Sequence, residues 1–439
     1  MSEFYGELHT PFLLRAFAMS EEELPDVMGN ESEGFVDVLE AERDLSNARA
    51  QLESLLDATD SLESLIAHLD TNEIASEAHK RAVVISFENL VGSSGISVND
   101  LLPSLQEHEM GVVSTESLKD RMKALWARLV AAVLAVLKFL KEFWVRIATF
   151  RGQLRMGAEH LAKHASARRI TTVRQPTVQL GMEIKSFIVG DNIVTDPDAL
   201  IRSVSAALDQ YRIVTNLYGA GMIDVGQKFE RLLQDSDTGV EKLKEVSQLF
   251  TQIPVERLAS QLKAMVYRDP RFGRRLTMAA PPIIGGWNLY FLTLENEQRA
   301  LAETDPLGFA AAVRTTGVKF ALTNVNQSNV LSGTAKTASG QQVETIARRV
   351  IEILDLIDSQ EKVMKLNRIE SQIKSVLRAG ESYQNRTSNN GDNYDISVLR
   401  FVRNYASWAT GPVDQMTTNL LTVSRHLLTY GRKSLNTSH

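Results

Sequence analysis

Residues 117–150 read SLKDRMKALWARLVAAVLAVLKFLKEFWVRIATF, and the spacing of their apolar side chains decides what the rest of the chain is built around. Leu118, Met122, Leu125, Trp126, Leu129, Val133, Val136, Leu137, Leu140, Phe143, Trp144 and Ile147 recur at the period of one helix face. With Ser117 as its cap, the run predicts roughly 50 Å of helix at about 1.5 Å per residue. That length crosses a bilayer, but Arg128, Lys138 and Lys141 confine the uncharged run to Leu129–Leu137. A spanning helix needs ~20 such residues. The expectation is a long amphipathic core helix, with a membrane-surface or pore-forming helix as its rival. The wider stretch 117–170 holds 12 basic and 3 acidic residues, so its polar face is expected to be cationic.

Immediately before this helix the charge changes sign. Residues 1–116 contain 24 Asp and Glu against 5 Lys and Arg, a net of −19, which leaves +13 in 117–439 and hides behind an overall charge of −6. Opposite blocks in one chain are read either as a solvated acidic segment facing its own basic patch or as two pieces that separate. Within the acidic block, Val38, Ala41, Leu45, Ala48, Leu52, Leu55, Thr59, Leu62, Ile66 and Leu69 alternate steps of three and four, a heptad seam that needs a partner helix. A second helix is expected from about Ile74 to Val91, ended by Gly92 and Gly95, and 92–116 reads as an exposed linker.

Downstream, Ile170–Val173 and Thr177–Leu180 read as short strands, and Phe187–Val189 with Asn192–Val194 as a hairpin about Gly190-Asp191. Asp196-Pro197-Asp198 starts a helix, with helices expected over 198–235 and 238–265. Pro281-Pro282 and Gly285-Gly286 precede the β-prone Trp287, Tyr290 and Phe291, and Thr315–Leu322 is a further strand, giving a small antiparallel sheet assembled from distant pieces. A helix over 341–378, a polar loop over 384–392 and two helices broken at Gly411-Pro412 complete the chain. The fold class is therefore α+β, predominantly α-helical, with long helices and a small antiparallel sheet. Its expected parts are 1–116, 117–170, 171–338 and 339–439.

Composition narrows the chemistry. The 439 residues include no cysteine, which excludes disulfides, thiolate metal sites and thiol nucleophiles, and 44% hydrophobic residues suffice for a large core. The acidic amino terminus lacks the basic and apolar regions of a signal peptide, so folding in a cytoplasm is expected. His160 and His164 stand four apart on the expected helix, yet no HExxH carboxylate lies between them and Lys163 adjoins one. Gly219-Ala-Gly221 with Gly226-Gln-Lys228 has the wrong spacing for a phosphate loop and reads as glycines within a helix. Asp358 and Glu361 read as solvated carboxylates. No nucleophile, base and orienting group come together, so the chain is read as a non-enzyme without cofactor, metal or small-molecule substrate.

One short pattern recurs. Ser-x-Glu stands at Ser20–Glu22, Ser61–Glu63, Ser86–Glu88, Ser114–Glu116 and Ser359–Glu361, four of the five within the acidic block. Proteases require exposed, extended chain. That favours Ser114-Thr-Glu116 in the expected linker, where a cut would leave Ser117 as the new amino terminus at the change of charge. Ser61 with Glu63 and Ser86 with Glu88 are the alternatives.

Asp60-Ser-Leu-Glu-Ser-Leu65, Leu101-Leu-Pro-Ser-Leu105, Ser117-Leu-Lys-Asp-Arg-Met-Lys-Ala-Leu-Trp126 and Ser424-Arg-His-Leu-Leu-Thr-Tyr430 together resemble the phiKZ-like phage internal head proteins. The resemblance implies a virion structural protein of a jumbo bacteriophage, made with an acidic propeptide and packed into the capsid interior. It further implies trimming by a prohead protease after Ser-x-Glu, with Ser114 and Glu116 as the residues carried over. Its implied partners are packaged DNA, the protease and other capsid or inner-head proteins, and ejection into the host cytoplasm is a further implication. The charge arithmetic agrees independently, because removing −19 leaves a basic body beside phosphate. The alternative reading remains a membrane-active helical protein.

Overall fold

Where Val38, Ala41, Leu45, Ala48 and Leu52 fall at steps of three and four, the chain is helical (α1, residues 35–52) and all five are buried. The computed structural model describes residues 35–52, 55–56, 115–168, 175–251, 254–268, 276–313, 316–323, 332–364, 366–387, 393–409 and 411–437. The rest of the seam from Thr59 to Leu69, the helix expected at 74–91, most of the linker and the strand Ile170–Val173 lie outside the described residues.

The basic amphipathic stretch is one helix, α2 (Thr115–Arg168, 54 residues). It begins two residues before the expected Ser117 cap and runs well beyond Phe150. The continuation has a physical cause: Leu154, Ala158, Leu161 and Ala165 extend the same apolar face, and all are buried. Trp126, Leu129, Val133, Val136, Phe143, Trp144, Ile147 and Phe150 line that face too.

After α2 come β1 (Thr177–Leu180), a 3-10 helix (Met182–Phe187), and the pair β2 (Ile188–Val189) and β3 (Asn192–Ile193) closed through Gly190 at φ +61°. Asp196 then caps α3 (Pro197–Gln234), its carboxylate accepting from the Asp198 and Ala199 N–H groups with Pro197 in the first turn. The helix expected over 238–265 is instead α4 (Gly239–Phe250) and α5 (Pro254–Gln261), followed by β4 (Met265–Val266). Pro254 supplies no N–H and starts the second piece.

The main sheet has four antiparallel strands in the order β4, β5 (Thr277–Ala279), β6 (Trp287–Leu292) and β7 (Gly317–Leu322). It is a meander within 265–322, interrupted by α6 (Asn296–Thr304) and α7 (Pro306–Val313). The distant pieces pair separately, β1 with β8 (Gly333–Lys336). Gly285 enters β6 at φ +96°, and a Cβ there would lie 2.2 Å from Asn419 Oδ1. Only glycine allows that turn to dock on the helix carrying Asn419, whose amide donates to the Ile284 carbonyl at 2.9 Å.

Four helices close the chain: α8 (Gly340–Met364), α9 (Leu366–Thr387), α10 (Asn393–Ala409) and α11 (Val413–Thr437). The loop expected from residue 384 begins later, because Arg386 donates to the Leu233 carbonyl at 2.6 Å and ties the last turn of α9 to the end of α3. Side chains joining Asp198 to Gln342, Thr215 to Gln360 and Glu230 to Gln372 show α8 and α9 running alongside α3 in the same direction. Arg155 to Asp355 and Arg151 to Asp358 show α2 antiparallel to α8. Buried residues from Phe35 to Leu435 form one continuous cluster.

Candidate docking groove and ion-pair face

The acidic seam helix and the basic helix meet. Phe35 sits 5.2 Å from Phe150 of α2, and the Arg425 guanidinium of α11 lies 4.7 Å over the Phe35 ring. At the other end of α1, Arg49 donates to Asp414 Oδ2 at 2.7 Å and to the Gly411 carbonyl at 3.2 Å. Arg146 reaches from α2 to the Asp37 carbonyl at 3.2 Å and to Glu40 at 3.8 Å. Helix α1 thus lies antiparallel to both α2 and α11, its heptad seam turned into the groove between them.

This groove holds a group of three charges. Burial raises the Glu42 carboxyl, and the negative Asp414 raises it further, to about 8, while Arg49 pulls it down. Asp414, only 2% exposed, is also raised, by its own burial, against the attraction of Arg49. One guanidinium serves two carboxylates in a site where the second charge is hard to hold. Sequence reading overlooked the trio. Its one signal is that Glu42 and Arg49 stand seven apart, each following a seam alanine, which puts both beside the buried stripe.

The polar face of α2 is less cationic than its composition implies. Arg151 pairs with Asp358 at 3.2 Å, Arg155 with Asp355, and Lys138 with Glu142 at 3.8 Å. For the two arginines the acids come from a neighbouring helix, α8, which a count along one segment omits. Asp358 is accordingly an ion-pair partner and not merely solvated. Lys141 and Lys163 remain exposed.

A serine and a histidine do meet elsewhere. Ser186 Oγ lies 2.6 Å from His426 Nδ1, with Glu183 and Lys433 joined at 3.1 Å beside them. Burial pushes the imidazole down to about 4, helped by Arg425 and Lys433 and opposed by Glu183. Ser186 is 4% exposed and His426 9%, so the pair fastens the 3-10 helix to α11 and offers a substrate no approach. A cavity of about 660 Å³ opens away from it, lined by Lys263, Met278, Thr293, Glu295 and Arg299 among others. Two of its polar residues serve the chain: Glu295 caps α6, and Arg299 donates to the Leu294 carbonyl.

Of the sites read from sequence, Glu116 and Ser117 lie in the first turn of α2, and Ser114 just precedes the described helix. Ser61, Glu63, Ser86 and Glu88 lie outside the described residues. Ser359, of the downstream Ser-x-Glu copy, is inside α8 and donates to the Leu356 carbonyl. The His160 and His164 rings stack 6.0 Å apart on an exposed face, and among the described residues no group of three or more His, Asp and Glu is placed to hold a metal. Gly226 lies within α3, where Lys228 pairs with Asp224. Among the described residues no helix is long and apolar enough to cross a membrane.

The family described as phiKZ-like phage internal head proteins matches residues 30–433. No curated protein and no solved structure matches the chain.

Proposed function

Because the chain belongs to the phiKZ-like phage internal head proteins, a family of structural components of the capsid interior, we propose that it is packed there as an acidic-ended precursor and cut after Glu116 by a prohead protease. The mature part then lies against packaged DNA among other inner-head proteins, from which it is ejected into the host. The observation that carries this reading is the family match over 30–433 together with the change of charge at 116, from −19 to +13. The scissile bond lies two residues inside α2, which starts at Thr115, so the cut requires the first turn of that helix to open. Cleavage after Glu116 removes only the first two residues of the helix, and amides at a helix start have no partner within it, so that turn opens readily. Burial of the apolar face of α2 in the body argues against the pore-forming alternative.

The test is the intact mass and amino-terminal sequence of the protein from mature virions. A chain beginning at Ser117 is expected. A terminus at residue 64 or 89 moves the cut to Glu63 or Glu88, and an uncut chain in the mature head removes the processing reading.

A further inference from the structure

We propose that helix α1 remains bound in the groove between α2 and α11 after the chain is cut downstream of it, so that the processed protein is a two-chain particle. The cut rests on the reading above; the docking rests on geometry alone. Phe35, Val38, Leu45 and Leu52 are each no more than 2% exposed, and their departure would open the apolar groove to water. The contacts occupy both ends of the helix: Phe35 against Phe150 and Arg425 at one, Arg49 against Asp414 and the Gly411 carbonyl at the other. Arg146 holds the near side through the Asp37 carbonyl and Glu40. None of these contacts uses the stretch from residue 57 to Ser117, which contains each proposed cut. A protease acting there severs the chain and leaves the interface whole.

The consequence concerns the acidic block. If α1 stays, some of the negative charge removed on paper stays with the body, and peptides from 35–52 persist in the virion although the chain has been cut. Their presence in a digest therefore says nothing against processing, whereas the size of the chain under denaturing conditions does.

The experiment uses the full chain with a specific cleavage sequence engineered between residues 92 and 110, cut after folding and run on a sizing column without denaturant. Both fragments are expected to co-elute at about micromolar concentration, the range of an ordinary specific complex. Arg49→Glu sets like charges against Asp414 and is expected to weaken retention at least about tenfold, while Arg43→Ala on the exposed side of α1 leaves it unchanged. Leu45→Asp is a second disruptive variant should the first fail to fold. An amino-terminal fragment that elutes alone from the unaltered protein overturns the inference, as does one that both disruptive variants retain. Because the nick is engineered, the result is independent of whether the virion chain is cut.

Discussion

Gly226 shows how closely single side chains are fitted. A Cβ at this position of α3 would lie 2.1 Å from the Tyr405 hydroxyl and 2.6 Å from Gln372 Cγ, and Tyr405 is itself buried, donating to the Met222 carbonyl at 2.9 Å. In an exposed helix alanine would be better than glycine by about 1 kcal/mol; here Gly226→Ala is expected to destabilise by about 1–3 kcal/mol through overpacking. Adding Tyr405→Phe removes the atom struck first and should recover part of the loss in denaturant midpoint. An equal loss with and without the hydroxyl would show that the crowding lies elsewhere. Two other residues set the dependence on pH. The Glu42 carboxyl is raised from 4.5 to about 8, so the folded protein keeps a proton that the unfolded chain gives up, and stability falls as pH rises from about 4.5 to 8. His426 is lowered from 6.5 to about 4, so its contribution is present above about 6.5 and lost as pH falls to 4. Between about pH 4.5 and 6.5 the two effects oppose each other, and above 6.5 the thermal midpoint should decline through Glu42, a decline that Glu42→Gln should flatten. A variant that left the alkaline decline intact would place its source in another group.

At the scale of elements, α2 is the test of the fold. Leu129 is fully buried, and each large apolar side chain of that face gains roughly 1.5–3 kcal/mol on burial. Leu129→Asp therefore sets a carboxylate among apolar neighbours and is expected to destabilise by several kcal/mol, lowering the thermal midpoint sharply. An unchanged midpoint with lost liposome binding would restore the membrane reading. Helix α2 was legible because its own side chains carry the period. The seam of α1 was legible for the same reason, but its partner was not: nothing in residues 35–52 says that α2 and α11 form the groove. The capped start of α3 and the Gly190 hairpin were also readable, since each is decided by a few adjacent residues. The break after Phe250 was marked locally by Pro254, whereas the end of α9 at Thr387 was missed because it depends on a contact, Arg386 to Leu233, that joins distant parts of the chain. The Glu42, Arg49 and Asp414 group was hidden on the same grounds, its members lying 365 residues apart across the ion pair.

For the whole molecule, the proposed contact with packaged DNA has to be reconciled with a net charge of −6. Net charge governs the distant field, but phosphate contacts need cations that are exposed and not already held by carboxylates. On α2 the arginines at 151 and 155 face Asp358 and Asp355, whereas Lys141 and Lys163 lie at the surface. Binding to duplex DNA should accordingly be weak, indifferent to sequence and strongly dependent on salt, because the sequence carries no motif for reading base edges. The two kinds of cation should also behave differently. Lys141→Gln and Lys163→Gln should each reduce the slope of log affinity against log salt by about 1, the counterions released by one phosphate contact. Arg151→Gln and Arg155→Gln should leave that slope nearly unchanged while lowering the thermal midpoint, slightly for Arg155, whose exposed ion pair contributes roughly 0–1 kcal/mol, and more for the half-buried Arg151. Titrations of protein taken from mature virions at several salt concentrations measure both effects. A larger change in slope from the arginines than from the lysines would mean that DNA displaces Asp355 and Asp358, and that the side of α2 facing α8 is the surface turned toward the genome.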